Sequence, residues 1–289
     1  MLFFLCQRLT EEKKQALLQT IQFQKSASEQ AEWLSMQEVL SIEPNLSHDI
    51  IGAMYAPNDG SVSAYKLASA FAEGARLVGA TILENTDVFN IITENDRVIG
   101  VKASTGDFYG EHVVVTGGAW TSKIMSSTNT KVPIYPVKGE CFSVQTDNEL
   151  ITKTIFSEEC YIVPKGGGRY IVGATMIPGT YDEKVSVKGI SQLANKAIKL
   201  LPAIQDAEWE RVWAGIRPQT GDGLPYLGEH PTIAGLYVSS GHYRNGILLS
   251  PITGELVANM IHDQKKPKEI EAFSLDEEKR RRHCIEASY

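Results

Sequence analysis

Gly241-His242-Tyr243-Arg244-Asn245-Gly246-Ile247-Leu248-Leu249-Ser250-Pro251-Ile252-Thr253-Gly254 follows an apolar run, Gly235-Leu236-Tyr237-Val238-Ser239-Ser240, that has the length and β-branched content of a buried strand. Apolar residues then recur at helical spacing from Ile247 to Ile261. A strand, a glycine-flanked polar turn and an apolar helix, in that order, have the shape of an anion or cofactor site. The amides that open such a helix lack intrahelical acceptors, and the positive end of the helix dipole sits with them. The same residues also make an ordinary strand-to-helix connection, with Asn245 and Gly246 supplying the turn geometry.

Upstream, His112-Val113-Val114-Val115-Thr116-Gly117-Gly118-Ala119-Trp120 is a second buried strand ending in small residues. Before it the spacing predicts a helix from Ser63 to about Val78, a strand at Thr81–Glu84, and a hairpin of Val88–Ile92 with Val98–Ala103 turning at Glu94-Asn95-Asp96. These elements are the later part of an α/β nucleotide-binding domain without its beginning. Between the two α/β stretches lie strand candidates at 132–145, 154–163 and 169–174. Lys165-Gly166-Gly167-Gly168 reads as a hairpin turn rather than a phosphate loop, since no helix follows it. An amphipathic helix at Val187–Leu201 stops near Pro202, and a strand at 208–216 delivers Arg217 and Pro218 before the turn Thr220-Gly221-Asp222-Gly223.

The first residues, Met1-Leu2-Phe3-Phe4-Leu5-Cys6, fit a strand. A helix follows from Thr10, with Leu17, Leu18, Ile21 and Phe23 as a partial apolar face. Ser35-Met36-Gln37-Glu38 starts a short helix that Pro44 ends, and Ile50–Ala56 is a strand closed by the turn Pro57-Asn58-Asp59-Gly60. The order predicts an α/β fold with α+β character, in which two domains interleave: residues 1–56 with 125–216, and 57–124 with 217–265, followed by a tail at 266–289.

Composition narrows the chemistry. At 43% hydrophobic and 22% charged the 289 residues are those of a soluble globular protein, and a net charge of -7 argues against a nucleic-acid surface. Arg280-Arg281-Arg282 follows Asp276, Glu277 and Glu278 and reads as a solvated, charge-balanced tail. Cys6, Cys141, Cys160 and Cys284 lack the close pairs of a zinc site or redox dithiol, which suits reduced thiols in a cytoplasmic protein. The apolar start is too short to span a bilayer and lacks signal-peptide features, so no membrane partner is expected. Hydrolase and metalloenzyme signatures are missing: no Gly-x-Ser-x-Gly, no His-Glu-x-x-His, no Walker loop. No metal is expected. Arg217 and Arg244 remain, in apolar and glycine-rich surroundings, with Tyr161, Tyr226 and Met176 near strand ends. A buried arginine is costly without a partner, and its planar fork suits a carboxylate. For Arg217 that partner is either a substrate carboxylate or one of the 35 acidic residues of the chain.

Trp213-Ala214-Gly215-Ile216-Arg217-Pro218, Asp222-Gly223-Leu224-Pro225-Tyr226-Leu227-Gly228 and Gly241–Leu249 closely resemble the bacterial glycine oxidases used in thiamine biosynthesis, within the D-amino acid oxidase family of FAD enzymes. Pro136-Val137-Lys138-Gly139-Glu140, Cys160-Tyr161-Ile162-Val163-Pro164 and Val172-Gly173-Ala174-Thr175-Met176 extend the resemblance over nearly the whole chain. It implies an incomplete FAD-binding Rossmann-like domain interleaved with an antiparallel-sheet substrate domain. It also implies oxidation of glycine, a small amine or a D-amino acid, with imine and hydrogen peroxide as products. By the same resemblance Arg217 binds the substrate carboxylate, Tyr161 and Met176 line the substrate pocket, and Arg244 borders it. Gly215 and the turn His242, Arg244, Asn245, Gly246, Ile247 and Leu248 contact the flavin ring, Val88 faces the adenine, and Gly117, Gly118 and Trp120 lie near the cofactor. Positive potential at the flavin edge then stabilises the reduced anion.

Two departures qualify that reading. A Gly-x-Gly-x-x-Gly turn is found nowhere in the sequence, and against the family's length roughly the first quarter of an oxidase is expected to be absent. Glu159 stands where a related oxidase has histidine, so substrate preference is not carried over. Other readings remain open: a non-catalytic remnant that associates through exposed sheet edges, and a sarcosine oxidase or D-amino acid dehydrogenase. Since no cysteine lies between Cys160 and Cys284, FAD is expected to be non-covalent. Lys165 reads as solvated, Lys138 as either solvated or near the flavin. Homo-oligomerisation, the electron acceptor and the exact amine stay open.

Overall fold

The computed structural model describes residues 2–7, 11–263 and 268–280. In chain order the elements are β1 (Leu2–Gln7), α1 (Glu11–Ser26), β2 (Glu32–Ser35), α2 (Met36–Ile42), β3 (Ile50–Ala56), α3 (Ala64–Leu77), β4 (Val88–Glu94), β5 (Arg97–Ala103), β6 (Gly106–Tyr109) and β7 (Val113–Val115). They continue as α4 (Thr121–Met125), β8 (Ile134–Gln145), β9 (Thr154–Phe156), β10 (Tyr161–Pro164), β11 (Arg169–Gly173), β12 (Ile177–Pro178) and α5 (Val187–Leu200). The last are β13 (Glu208–Thr220), β14 (Tyr226–Glu229), β15 (Leu236–Ser240) and α6 (Gly246–Asp263).

Helix boundaries follow local chemistry. Ser35 caps α2 in a capping box: its hydroxyl accepts from the Glu38 amide while the Glu38 carboxylate accepts from the Ser35 amide. Ser186 caps α5 by accepting from the Gly189 amide at 3.0 Å. The glycine hairpin is a turn, with Gly166, Gly167 and Gly168 all at positive φ; a Cβ on Gly168 would fall 2.1 Å from the Thr146 carbonyl oxygen.

The chain divides into two compact units, one of residues 1–63, 138–177 and 182–215, the other of 64–137, 178–181 and 216–289. Their bounds lie at 63/64 and 137/138, where the sequence suggested 56/57 and 124/125. In the first unit the sheet runs β8-β11-β10-β9-β1-β3-β2, mostly antiparallel, with β12 and β13 both pairing with β8. Its core gathers Val39, Leu46, Ile155, Ile162, Tyr170, Leu193 and Leu200, so that α2 and α5 bury their apolar stripes with the sheet. Two buried carboxylates are held by hydrogen bonds. Glu43 Oε1 accepts from the Thr152 and Lys153 amides and the Thr152 hydroxyl, and Glu140 accepts from the Ser186 amide and hydroxyl. Lys138, 8% exposed, donates to the Lys184 carbonyl and pairs with Glu140 at 3.6 Å, so it is neither solvated nor free.

In the second unit β7 lies parallel to β15, with Val115 opposite Val238, and β14 pairs antiparallel on the other side of β15. A separate β4-β5-β6 meander completes it. Ile91, Val98, Val115, Met125, Leu236 and Val238 share one core.

Several expectations change. Thr81–Glu84 forms no strand, because nothing among the described residues pairs with it, and Phe23 is 73% exposed rather than part of a buried face. The stretch 154–163 is two antiparallel strands folded at Ser157, whose hydroxyl accepts from the Cys160 amide. Arg280 is not solvated: at 6% exposure it grips Asp222 with Nε and Nη2, donates to the carbonyls of Leu224 and Pro225, and stacks 4.1 Å above the Tyr226 ring. Tyr226 is thereby absorbed into structure. Arg281, Arg282 and Cys284 lie outside the described residues, as does the side chain of Cys6; Cys141 and Cys160 are buried thiols outside any disulfide, with Cys141 Sγ 3.5 Å from the Tyr161 hydroxyl, and burial pushes the Cys160 thiol up to about 11. Among the described residues no helix is long and apolar enough to cross a membrane.

His230 tests the packing of the second unit. Its Nδ1 accepts from the amides of Thr232 and Ile233, its Nε2 lies 2.6 Å from the Thr130 hydroxyl, and burial lowers its pKa. The folded state therefore holds fewer protons than the unfolded chain just below the ordinary histidine value of about 6.5. Stability linked to His230 is complete above that value and is lost as the pH falls through the lower folded-state pKa. Thermal melts of His230→Gln should lose less between pH 7 and pH 5 than those of the unaltered protein. An equal loss in both would show that this imidazole does not set the acid limb.

Candidate functional site

In the second unit β7 and β15 run parallel and end at the same side, where a doubly wound sheet places its ligands. After β7 the chain turns through Thr116, Gly117 and Gly118; after β15 it turns through Gly241–Asn245 into α6. The two turns are joined. The Thr121 hydroxyl donates to Ser240 Oγ at 2.9 Å, and Ser240 Oγ donates to the Gly118 carbonyl at 3.0 Å. Glycine is required at two of these positions: Gly241 has φ +83° and a Cβ there would fall 2.6 Å from Thr220 Cγ2, while Gly118 has φ +53°.

Two cavities meet at Thr116. One, of about 290 Å³, is lined by Gly118, Ser240, His242, Arg244, Gly246 and Ile247 among others; the other, of about 440 Å³, takes in Val88, Val115, Gly117, Phe108 and Ile124. Of the residues expected to hold the cofactor, Gly118, His242, Arg244, Gly246 and Ile247 therefore share one cavity, and Val88 and Gly117 share the next. Asn245 stands exposed in the same turn, and the Leu248 side chain, 79% exposed, lies on the first turn of α6. The Tyr243 amide donates to the Pro218 carbonyl at 3.0 Å and the Asn245 amide to the His242 carbonyl at 2.9 Å, which sets the path of the turn. Burial lowers the His242 pKa, so its imidazole is neutral at pH 7 and the positive potential of this turn comes from Arg244 and the amides opening α6.

Arg217 lies near the end of β13. It makes no ion pair among the described residues, and its Nη1 is buried without a hydrogen-bond partner. Among the described residues no carboxylate pairs with Arg217, and leaving a buried N–H of a cation without a hydrogen bond is costly. Trp120 packs against Tyr181, ring centroids 5.6 Å apart, while the Tyr181 hydroxyl donates to the Ala119 carbonyl at 3.1 Å. Gly215, Tyr161 and Met176 belong to the first unit. Gly215 is exposed, with open space where a Cβ would be. Tyr161 packs on Phe156 at 5.3 Å and pairs with Gly173 across β10 and β11; Met176, three residues further, is 62% exposed.

The sequence reading passed over Thr116, Thr121, Ser240, Tyr181 and Gln219. For Thr116 and Ser240 the signal was present, as small polar residues at the carboxyl ends of two parallel strands; for Tyr181 and Gln219 it was not. Among the described residues no group of three or more His, Cys, Asp or Glu is placed to hold a metal ion.

The glycine turns, the helix-opening amides and the unpaired guanidinium suit the electron-rich edge of a flavin and the carboxylate of a small acid. Known proteins agree with that chemistry. The chain is 44% identical over 268 residues to a glycine oxidase of Geobacillus kaustophilus, covering 92% of this chain and 71% of that protein. It is 34% identical over 254 residues to the bifunctional protein ThiO/ThiG of Synechocystis, covering 86% of this chain and 38% of that one. The crystal structure of the Geobacillus glycine oxidase superposes with a TM-score of 0.90 over 95% of this chain and 74% of its own. A profile of the FAD dependent oxidoreductase family, DAO, matches residues 2–260. With the parallel-strand crevice and its glycine turns, this match places the chain in the FAD dependent oxidoreductase family, as a glycine oxidase-like member.

Proposed function

We propose that this chain serves FAD-dependent oxidation of glycine or a comparably small amino acid, linked to thiamine biosynthesis, a reading supported by its likeness to a glycine oxidase and to a bifunctional protein ThiO/ThiG. The observation that carries the reading is the buried, unpartnered Nη1 of Arg217. A cation kept without a counter-charge costs stability, and a ligand carboxylate removes that cost on binding. FAD, when bound, supplies the two-electron acceptor for a hydride leaving the amine carbon. The residues do the rest. Gly117, Gly118, Gly241 and Gly246 leave room for a planar ring; the amides opening α6, with Arg244, place positive charge at its edge; Arg217 anchors the carboxylate; Val88 and Gly117 offer apolar surface for the nucleotide end. Tyr161 and Met176 are proposed as substrate contacts on the resemblance alone.

The test is direct: purify the chain, titrate FAD by its fluorescence, and assay peroxide with glycine. Flavin binding with glycine-dependent peroxide supports the reading. A colourless protein that stays inactive in excess FAD removes it for this chain. That second result would favour a non-catalytic polypeptide, a reading supported by α3, which buries none of its side chains while Tyr65 and Leu77 are 82% and 80% exposed.

A further inference from the structure

Among the described residues, two buried side-chain atoms of the second unit lack a hydrogen-bond partner, Arg217 Nη1 and Gln219 Oε1. They are opposite in kind, one a donor with charge and the other a neutral acceptor. They stand two residues apart on β13, so their side chains leave the same face of the strand about 7 Å apart. The Gln219 amide is not free to turn at no cost, because its Nε2 donates to the Thr220 carbonyl at 3.2 Å, which orients Oε1. Had the two orphans been each other's partners, both would be satisfied. Neither is.

A buried donor and a buried acceptor held side by side are jointly satisfied by a ligand that carries an anion and an N–H donor two bonds apart. That is the backbone of an α-amino acid. We propose that Gln219 is a specificity-determining residue, accepting through Oε1 a hydrogen bond from the amine of the same amino acid whose carboxylate pairs with Arg217. The inference rests on the role proposed above for Arg217 and goes beyond it, because it assigns the recognition of the amine. A site built to pair with an N–H rejects an analogue that lacks one, since the acceptor is then left unsatisfied.

The experiment is calorimetric titration of the purified chain with glycine and with acetate, which shares the carboxylate but has no amine. The unaltered protein should prefer glycine. Gln219→Leu should weaken glycine about ten- to a hundredfold, the ratio for losing a hydrogen bond to a charged group, and change acetate less than about twofold. Gln219→Glu, which keeps the shape, should strengthen glycine and weaken acetate, because a carboxylate attracts the ammonium and repels the anion; it serves equally if the leucine variant does not fold. Equal losses for glycine and acetate would mean that Gln219 serves Arg217 rather than the amine, and would overturn the proposal. No change for either ligand would overturn it too. If Arg217→Ala abolishes acetate binding while the Gln219 variants leave glycine untouched, the carboxylate reading survives and only this inference falls.

Discussion

Arg280→Ala lowers the unfolding free energy of the protein by about 3–4 kcal/mol in urea denaturation followed by circular dichroism. The guanidinium is 6% exposed and makes two hydrogen bonds to Asp222, two more to the Leu224 and Pro225 carbonyls, and a stacking contact with Tyr226. Removing one partner of a buried pair typically costs about 3–5 kcal/mol. The Asp222 side chain keeps 33% exposure, so water recovers part of the loss and the lower end applies. Burial works to raise the Asp222 pKa, but the Arg280 and Leu224 hydrogen bonds outweigh it and hold the carboxyl below its usual range. Arg280→Lys should recover less than half of the loss, since an ammonium cannot fork across both carboxylate oxygens and still reach two carbonyls. A change below about 1 kcal/mol would return Arg280 to the solvated tail that its neighbours Asp276, Glu277 and Glu278 suggest.

Arg217→Ala has the opposite signature. It should weaken acetate and glycine together by about 2–5 kcal/mol, or roughly thirtyfold to a few thousandfold, by loss of a charge-assisted pair. Its effect on folding should be small or favourable, because Nη1 has no partner to lose in the free protein. Calorimetry and thermal melts on one preparation separate the two effects. Unchanged ligand affinity takes Arg217 out of the site; a large drop in melting temperature would show that it serves the fold. The two variants therefore have opposite expected signatures: Arg280 is held by partners within the chain, whereas Arg217 Nη1 has none among the described residues.

Local chemistry made much of the architecture readable. The capping box at Ser35 and Glu38, the glycine turn at 166–168 and the strand-to-helix stretch at 236–246 depend on residues within a few positions of one another, so their sequence signals survive folding unchanged. Short strands were harder. β2, β6 and β14 have four residues each and exist because β3, β5 and β15 supply their hydrogen bonds, whereas Thr81–Glu84, which looks as strand-like, has no neighbour to pair with.

The sequence alone therefore determined the family, the α/β character, the glycine turn opening α6 and the candidacy of Arg217, because these rest on residue identity and near-neighbour spacing. It could not decide which arginine has a partner. Arg280 and Asp222 are 58 positions apart and meet only after β13 and β14 have folded back, while none of the chain's 35 acidic residues is found paired with Arg217 among those described. Whether a buried charge is satisfied depends on distances through space, and these are set by the tertiary structure.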